Sequence, residues 1–314
     1  MEPCVGLSKV GKEKYEQVAR IAEEKMQSLD HLKKNHPCFG GCAFNAGRIH
    51  LPVSPGCNIA CAFCDRQINE DEERPGVTRR VITPDEAVTF IGRALELCPS
   101  IKVAGIAGPG DTLATDKALE TFRKLGERYP ELLKCMSTNG LLLYEKADEL
   151  IETGIDTLTV TVNAVDPEIE AQLNEYVIWH GEKIEGVPGA KILIENQLKG
   201  IRKIAAAGVT IKVNTVLVPG INDDHIETIA RTVSALGAVM YNIIPIIPQA
   251  KLAHVPKPTM EQIVKARKQA SKYIQVFLHC QHCRADAVGV PGISEYSRQV
   301  YQGRIGARET FSHG

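Results

Sequence analysis

Apolar runs of strand length alternate with amphipathic helical segments from residue 48 onward. Six such runs occur, and several of them are apolar on both faces, which is typical of a parallel sheet covered by helices. The runs span residues 49–54, 101–107, 133–138, 157–163, 209–218 and 239–247. This pattern predicts a mostly parallel sheet with helices between its strands.

Helix-start signals lie between these strands. The clearest begins at Thr83, which Pro84 follows at the first helical position and Glu86 follows as the partner of a capping box. The pattern predicts a similar helix from Asn222 and another from Thr259. The chain is therefore built from repeated β-then-α units, and such folds bind ligands at the carboxyl ends of their strands.

About six β-then-α units are too few to close the ordinary eight-unit barrel. The sequence predicts an α/β fold, a partial (β/α)6 barrel with N- and C-terminal extensions, and a doubly wound sheet is the alternative. We expect an N-terminal extension over residues 1–47 and the barrel with its C-terminal segment over 48–290. Residues 291–314 are Gly-rich and polar, which predicts a mobile tail.

Composition narrows the class of protein. The chain has 314 residues, of which 44% are hydrophobic and 24% are charged, as in globular proteins. Its net charge of −1 argues against nucleic acid as a partner. No apolar run approaches the ~20 residues that span a bilayer, and residues 1–30 lack the apolar core of a signal peptide. The sequence thus predicts a cytoplasmic protein with no membrane partner.

Cysteine is the most informative residue type, because ten cysteines in a chain of this size indicate metal binding before disulfides. Cys57, Cys61 and Cys64 form a C-x3-C-x2-C pattern on the loop after the first strand. Three thiolates at this spacing can hold three irons of a [4Fe–4S] cube, which leaves the fourth iron open to a ligand. The alternative is a structural zinc site, closed by a fourth ligand such as His50.

Polar and glycine-bearing segments follow the next three strands. The second strand leads into G-I-A-G-P-G-D, the third ends in S-T-N-G, and the fourth ends in T-V-N-A. Each segment alone could be an ordinary βα turn. Their occurrence after successive strands favours a ligand pocket at the mouth of the barrel.

The cysteine triplet, with Phe63 before its last cysteine, resembles the signature of the radical S-adenosylmethionine (SAM) superfamily. The resemblance implies that the open iron binds the amino and carboxylate groups of SAM. It also implies that the reduced cluster cleaves SAM to methionine and a 5′-deoxyadenosyl radical. The residues that it assigns to SAM binding are Gly108, Gly110, Asp111, Thr138, Asn139 and Asn163.

Five further segments resemble the NifB family, whose members build the iron–sulfur–carbide core of the nitrogenase cofactor. They are H-P-C at 36–38, E-R-P-G-V at 73–77, A-G-P-G-D at 107–111, S-T-N-G at 137–140 and C-x2-C-R-A-D-A-V-G at 280–289. Their combination is far more specific than the triplet alone. The chain is expected to be the short form of the family, without an added NifX-like domain.

The NifB resemblance implies two further [4Fe–4S] units, the substrate clusters K1 and K2. One SAM methylates a sulfide of the second cluster, and a radical from another SAM removes a hydrogen from that methyl. The carbon becomes a carbide as the two clusters fuse into an [8Fe-9S-C] core. The family's chemistry also implies cluster donors, an electron donor such as ferredoxin, and a carrier or scaffold protein for the product.

The same resemblance assigns the remaining ligands. It places the first substrate cluster on Cys38, His50 and Cys135. It places the second on Cys280, Cys283 and an N-terminal cysteine, Cys4, for which Cys42 is the alternative.

Two other functions remain open at this point. One is a different radical SAM enzyme with auxiliary clusters, against which the C-R-A-D-A-V-G segment argues. The other is a non-catalytic iron–sulfur carrier, which would not need the Gly- and Asn-bearing strand ends of a SAM pocket.

Overall fold

A computed structural model describes residues 29–40, 45–302 and 309–310 of the chain. The described part of the first helix, α1, covers residues 29–35. The other helices are α2 (Pro84–Leu97), α3 (Lys117–Arg128), α4 (Ala147–Glu152), α5 (Pro167–Leu173), α6 (Gly186–Ala206), α7 (Ile226–Ala235), α8 (Met260–Ala270) and α9 (Ser297–Val300). The strands are β1 (Gly47–His50), β2 (Ile59–Cys61), β3 (Gln67–Ile68), β4 (Val77–Thr78), β5 (Ile101–Ile106), β6 (Leu133–Thr138), β7 (Thr157–Thr161), β8 (Asn174–Trp179), β9 (Glu182–Glu185), β10 (Thr210–Leu217), β11 (Met240–Pro245), β12 (Gln275–Val276), β13 (Val288–Gly289) and β14 (Glu309–Thr310).

The main sheet has eight strands in the order β12-β11-β10-β7-β6-β5-β1-β13. Its neighbours pair in parallel except β13, which runs antiparallel to β1. The strands β12 and β13 are its two edges, so the sheet is open, and the predicted partial barrel is confirmed. The two edge strands have two residues each and are too short to give a periodic signal in the sequence.

Most predicted elements occur at the predicted places, with two differences. Both capping boxes are present, Thr83 with Glu86 at α2 and Thr259 with Gln262 at α8. The helix predicted from Asn222 begins instead at Ile226. Asn222 is buried in the preceding turn, where its amide accepts from the Val218 N–H and donates to backbone carbonyls.

The second difference concerns the first strand, which was predicted at 49–54 and is Gly47–His50. Beyond His50 the chain leaves the sheet, and Ser54 forms only an isolated bridge to Pro109. The loop with the cysteine triplet therefore starts from an irregular segment at the carboxyl end of β1.

The two faces of the central strands differ in polarity. Leu158 and Val160 of β7 point to the helices and belong to the main hydrophobic core, as do the corresponding residues of β10. The alternate positions point inward and are polar, for example Thr159 and Lys212. We call the space inside the barrel the lumen. Branched apolar side chains usually fill such an interior, whereas here the core lies between sheet and helices and the lumen is polar.

Residues 29–40 cover the amino end of the strands. Leu32 and Phe39 pack with Met240 and Phe277 in a separate apolar cluster. The ring of His36 accepts from the Cys38 N–H at Nδ1 and lies 3.3 Å from the Thr157 hydroxyl at Nε2. These contacts fix Cys38 at the bottom of the lumen.

The seam segment, residues 277–287, crosses the open side of the sheet from β12 to β13. Arg284 is 2% exposed and donates to the carbonyls of Asn69 and Glu72 at 2.8 and 2.5 Å. It also pairs with the fully buried Asp286, which accepts from the Arg79 N–H at 2.6 Å. The C-R-A-D-A-V-G motif therefore ties the seam segment to the loop at 69–79.

The predicted tail is partly packed. Tyr301 is buried, and its ring lies edge-on to Phe90 with centroids 5.0 Å apart, so the segment predicted as a tail packs on the fold at Tyr301. The boundaries at 47 and 290 remain predictions as domain limits. Among the described residues, no helix combines the length and apolarity needed to cross a membrane.

Replacing Asp286 by Ala should strongly destabilise the cluster-free protein. The change leaves the buried Arg284 without its carboxylate, and losing one partner of a buried pair typically costs ~3–5 kcal/mol. The measurement is the free energy of unfolding in denaturant. Asp224→Ala is the matched control, because the Asp224–Lys265 pair is exposed and its loss should change the free energy of unfolding little. Equal losses in the two variants would contradict a structural role for the Asp286 network.

Candidate functional site

The three triplet cysteines lie together on the loop at the carboxyl end of β1. The loop is held in place by β2, which pairs antiparallel with β8 and brings Cys61 opposite Asn174. The Ala62 N–H donates to the Leu173 carbonyl at 2.9 Å, and the Cys64 N–H donates to the Cys61 carbonyl at 3.0 Å. These bonds fold the short C-x3-C-x2-C spacing into one compact turn.

The electrostatics of the three thiols show that they share a desolvated pocket. The pKa of Cys61 is raised well above its ordinary value by burial and then by the nearby thiols of Cys64 and Cys57. Burial and Cys57 likewise raise the pKa of Cys64 to about 11. Arg66 opposes both shifts, so a cation already faces the site. Three crowded thiols become thiolates readily when they bind a positively charged iron–sulfur core, so this donor set fits a [4Fe–4S] cluster.

The glycine-rich segment after β5 packs directly on the cysteine loop. The Gly110 N–H donates to the Ser54 carbonyl at 2.7 Å, and the Asp111 N–H donates to the Gly56 carbonyl at 2.8 Å. A Cβ atom at Gly110 would lie 1.9 Å from the Gly56 carbonyl oxygen, so only glycine permits this approach. Gly108, with φ +124°, lies just before this contact. The structure thus gives this segment a supporting role, and its contact with SAM stays a prediction.

Asp111 joins three of the predicted residues. Its buried carboxylate accepts from the Thr138 hydroxyl at 2.9 Å and from the Asn139 N–H at 2.6 Å. The Asn139 amide donates to Asn58 at 2.7 Å and lies 3.9 Å from the Cys57 sulfur. The ends of β5 and β6 therefore meet the cysteine loop, as the order of the segments predicted.

Asn163 lies farther along the mouth of the barrel. Its side-chain oxygen accepts from the Val216 N–H at 3.0 Å, which joins the end of β7 to β10. The oxygen of this side chain is thus used within the protein, and the assignment of Asn163 to SAM remains a prediction.

Sequence analysis missed Glu170, because an acidic residue on a short helix is usually exposed. Glu170 is 1% exposed, and burial raises its pKa to about 8. Its Oε2 has no hydrogen-bond partner, and neither has the side-chain amide of Asn174. Glu170 also raises the pKa of Cys61, so it lies near the cysteine loop. Buried polar atoms without partners are uncommon in folded proteins, so this region fits a polar ligand.

A second group of thiols lies in the lumen below the cysteine loop. Burial and the nearby Cys38 thiol raise the pKa of Cys135 to about 11, while Thr157 and Lys212 act in the opposite direction. Cys135 therefore points into the lumen. Cys98, by contrast, belongs to the hydrophobic core between sheet and helices.

His50 faces the same space from β1. Its Nδ1 lies 2.9 Å from the Arg284 carbonyl, which accepts a hydrogen bond from the Nδ1–H, so Nε2 is left with its lone pair beside Gly105. Burial, followed by the charge of Arg48, lowers the pKa of His50 to about 4, which keeps the ring neutral at neutral pH. A neutral imidazole oriented by a backbone carbonyl has the usual arrangement of a metal ligand.

The two cysteines of the seam segment, Cys280 and Cys283, lie next to the thiols of the lumen. The guanidinium of Arg48 donates to the Cys283 sulfur at 3.3 Å, and Cys38 contributes to raising the pKa of Cys283 after burial does. Cys280 packs on the apolar cluster that also holds Cys38. The two predicted substrate-cluster sites are therefore neighbours. Cys4 and Cys42 lie outside the described residues.

No group of three or more His, Cys, Asp or Glu within the described ranges has the geometry to hold a single metal ion. The ligand assignments of the lumen and of the seam remain predictions.

Comparison with known proteins finds a matching family model and several similar relatives. Residues 51–233 match the family model of the radical SAM superfamily. The chain is 44% identical to the FeMo cofactor biosynthesis protein NifB of Methanocaldococcus infernus, over 89% of the chain and 93% of that relative. It is 45% identical to the protein of the same name in Methanocaldococcus jannaschii, over 85% and 90%. In Chlorobaculum tepidum the identity is 40%, over 82% of the chain and 62% of the relative.

Solved structures support the same fold. A radical SAM methyltransferase from Sphaerobacter thermophilus has a TM-score of 0.56 at 18% identity, covering 76% of this chain and 69% of that one. Methylornithine synthase (PylB) has a TM-score of 0.51 at 15% identity, covering 86% and 72%.

Replacing Gly110 by Ala should weaken the site more than the same change at Gly56. The Gly110 Cβ would collide with the Gly56 carbonyl, and overpacking typically costs ~1–3 kcal/mol. The Gly56 Cβ would meet nothing within 4 Å, so Gly56→Ala is the control and should change stability little. The measurements are the free energy of unfolding and the iron bound to the cysteine loop after reconstitution. Equal iron binding in both variants would show that the close approach is not needed.

Proposed function

The chain belongs to the NifB family of the radical SAM superfamily, and on that premise we propose that it acts in the biosynthesis of the FeMo cofactor. More specifically, we propose that it inserts a carbon from SAM while fusing two [4Fe–4S] substrate clusters into the [8Fe-9S-C] core. The observation that supports this most is the pairing of two thiol groups. One lies at the mouth of the barrel, and a second, with His50, lies in the lumen beneath it.

Cys57, Cys61 and Cys64 are the proposed ligands of the resident cluster, which with bound SAM supplies reductive cleavage to a 5′-deoxyadenosyl radical. Arg66 offsets the negative charge of the three sulfurs. The Asn139 amide, 3.9 Å from the Cys57 sulfur, adds an N–H donor, and Asp111 fixes Asn139 through its backbone. The remaining polar residues at the mouth (Gly108, Gly110, Thr138 and Asn163) are proposed to shape the SAM pocket.

The lumen is the proposed place of the substrate clusters. Cys38, His50 and Cys135 would hold the first, and Cys280 and Cys283, with a cysteine outside the described residues, would hold the second. Cys38 is an electrostatic neighbour of both Cys135 and Cys283, so clusters on these ligands would be adjacent. Adjacent clusters suit a fusion reaction. The proposed partners of the protein are cluster donors, an electron donor and a carrier for the product.

Replacing Cys57, Cys61 and Cys64 together by Ala should abolish SAM cleavage, because the loop has no spare thiol at the required spacing. The measurement is 5′-deoxyadenosine formed by reduced, reconstituted protein. Cys98→Ala is the control, since Cys98 is buried in the hydrophobic core, and it should retain cleavage. Cleavage at the wild-type rate in the triple variant would refute the assignment. Its absence in the wild type would favour a passive carrier.

Replacing His50 by Ala should remove a nitrogen coupling from the reduced substrate clusters and stop formation of the eight-iron product. An imidazole binds iron more weakly than a thiolate, so His50 can hold a cluster and release it on fusion. Pulsed electron paramagnetic resonance measures the coupling. His279→Ala, an exposed histidine of the seam segment, is the control and should leave the coupling intact. A coupling that persists in His50→Ala, or is lost in His279→Ala, would show that His50 is not the ligand.

A further inference from the structure

Lys212 is a buried cation in the lumen. It lies on β10, its residue is 6% exposed, and its Nζ is 5.5 Å from the ring centroid of Phe39 and 5.4 Å from that of Phe277. In the part of the chain that the structure describes, no carboxylate or carbonyl accepts a hydrogen bond from this ammonium. Burying a charge without a partner is costly, so the position is maintained against a stability penalty.

Lys212 differs from two other buried cations near the lumen, Arg48 and Arg284, because both of these have hydrogen-bond partners. Arg48 donates to the Gly289 carbonyl at 2.7 Å and to the Cys283 sulfur at 3.3 Å, and lies 3.6 Å from the Glu295 carboxylate. Arg284 donates to the Asp286 carboxylate and to two backbone carbonyls. Among the described residues, the contacts recorded for the Lys212 ammonium are with the faces of two aromatic rings, and a ring attracts a cation less strongly than an anion does.

The surroundings of Lys212 are the proposed ligands of the first substrate cluster. Its charge lowers the pKa of Cys135, against the larger effects of burial and Cys38. It also lowers the pKa of His36, where only burial has a larger effect, and that of His50, where burial and Arg48 have larger effects. Because both rings are neutral at neutral pH, Lys212 is the cation that faces Cys135 from β10.

We propose that Lys212 is the anion-binding residue of the lumen, and that its ammonium donates to a sulfur of the anionic substrate cluster held by Cys38, His50 and Cys135. The identity of the anion rests on the proposed function. In its reduced state, a [4Fe–4S] core with two thiolate ligands carries net negative charge, and N–H donors next to the sulfurs stabilise such a cluster. The neutral His50 adds no charge, so Lys212 supplies the compensation from the opposite wall.

The first test uses cluster-free protein and hydrosulfide as the probe, at alkaline pH and with chloride at equal ionic strength as the reference. Hydrosulfide should raise the thermal unfolding midpoint of the wild type but not that of Lys212→Met, which keeps the aliphatic stem and removes the charge. Lys212→Arg should restore part of the response. Lys203→Met is the matched control, because Lys203 also lies over a ring, that of Tyr144, but is partly exposed and paired with Asp148.

The second test measures retention of lumen iron. In a background with Cys57, Cys61 and Cys64 replaced by Ala, the remaining iron belongs to the substrate clusters. Under challenge with a chelator, Lys212→Met should lose this iron about tenfold faster or more, as expected for the loss of one charge-assisted hydrogen bond. Lys203→Met should lose it at the rate of the parent.

The outcomes separate this inference from the proposed function. A hydrosulfide response that survives in Lys212→Met, or lumen iron retained as in Lys203→Met, would overturn the role of Lys212 and leave the function untouched. A Lys212-dependent hydrosulfide response in a wild type that binds no lumen iron would uphold the anion site and refute the proposed ligand set.

Discussion

The buried ion pair of Arg284 with Asp286 is the constraint on which the rest of the molecule depends. An open sheet has two edges, and a chain that crosses between them has no ladder to hold it. Arg284 and Asp286 solve this by binding the seam segment to the carbonyls of Asn69 and Glu72 and to the backbone of Arg79. Such a pair repays its desolvation only when further hydrogen bonds satisfy its remaining donors, and here each guanidinium nitrogen of Arg284 donates at least one hydrogen bond.

The same segment sets the chemistry of the lumen. The carbonyl of Arg284 orients the ring of His50. The carbonyl of Ala287 accepts a hydrogen bond from the backbone N–H of His50 at 2.8 Å. The Gly289 carbonyl accepts from Arg48, which in turn donates to Cys283. The residues that close the barrel therefore also fix two of its proposed metal ligands, and the spacing of the C-x2-C-R-A-D-A-V-G motif reflects both tasks.

Much of the fold and of the cysteine-loop site could be predicted from the sequence, because the sequence patterns that indicate them are local. The six strands, the capping boxes and the cysteine triplet all depend on neighbouring residues, and all but the first strand occur where the pattern predicted them. The start of α7 was wrong because Asn222 braces the loop after β10 through bonds to Asn163 and Val216, which are distant in sequence or hidden in backbone atoms. The edge strands and the buried Glu170 were missed for the same reason: tertiary contacts define them.

Strand β6 connects the two proposed reaction regions. Asn139, just past its end, lies beside Cys57, and Cys135 lies four residues earlier and points into the lumen. At a rise of ~3.3 Å per residue, the two positions are about 13 Å apart along the strand. A shift of one residue in register would turn Cys135 into the hydrophobic core in place of Met136. Pairing with β5 and β7 on either side excludes that shift, so the sheet itself fixes the distance between the proposed radical source and the proposed substrate cluster.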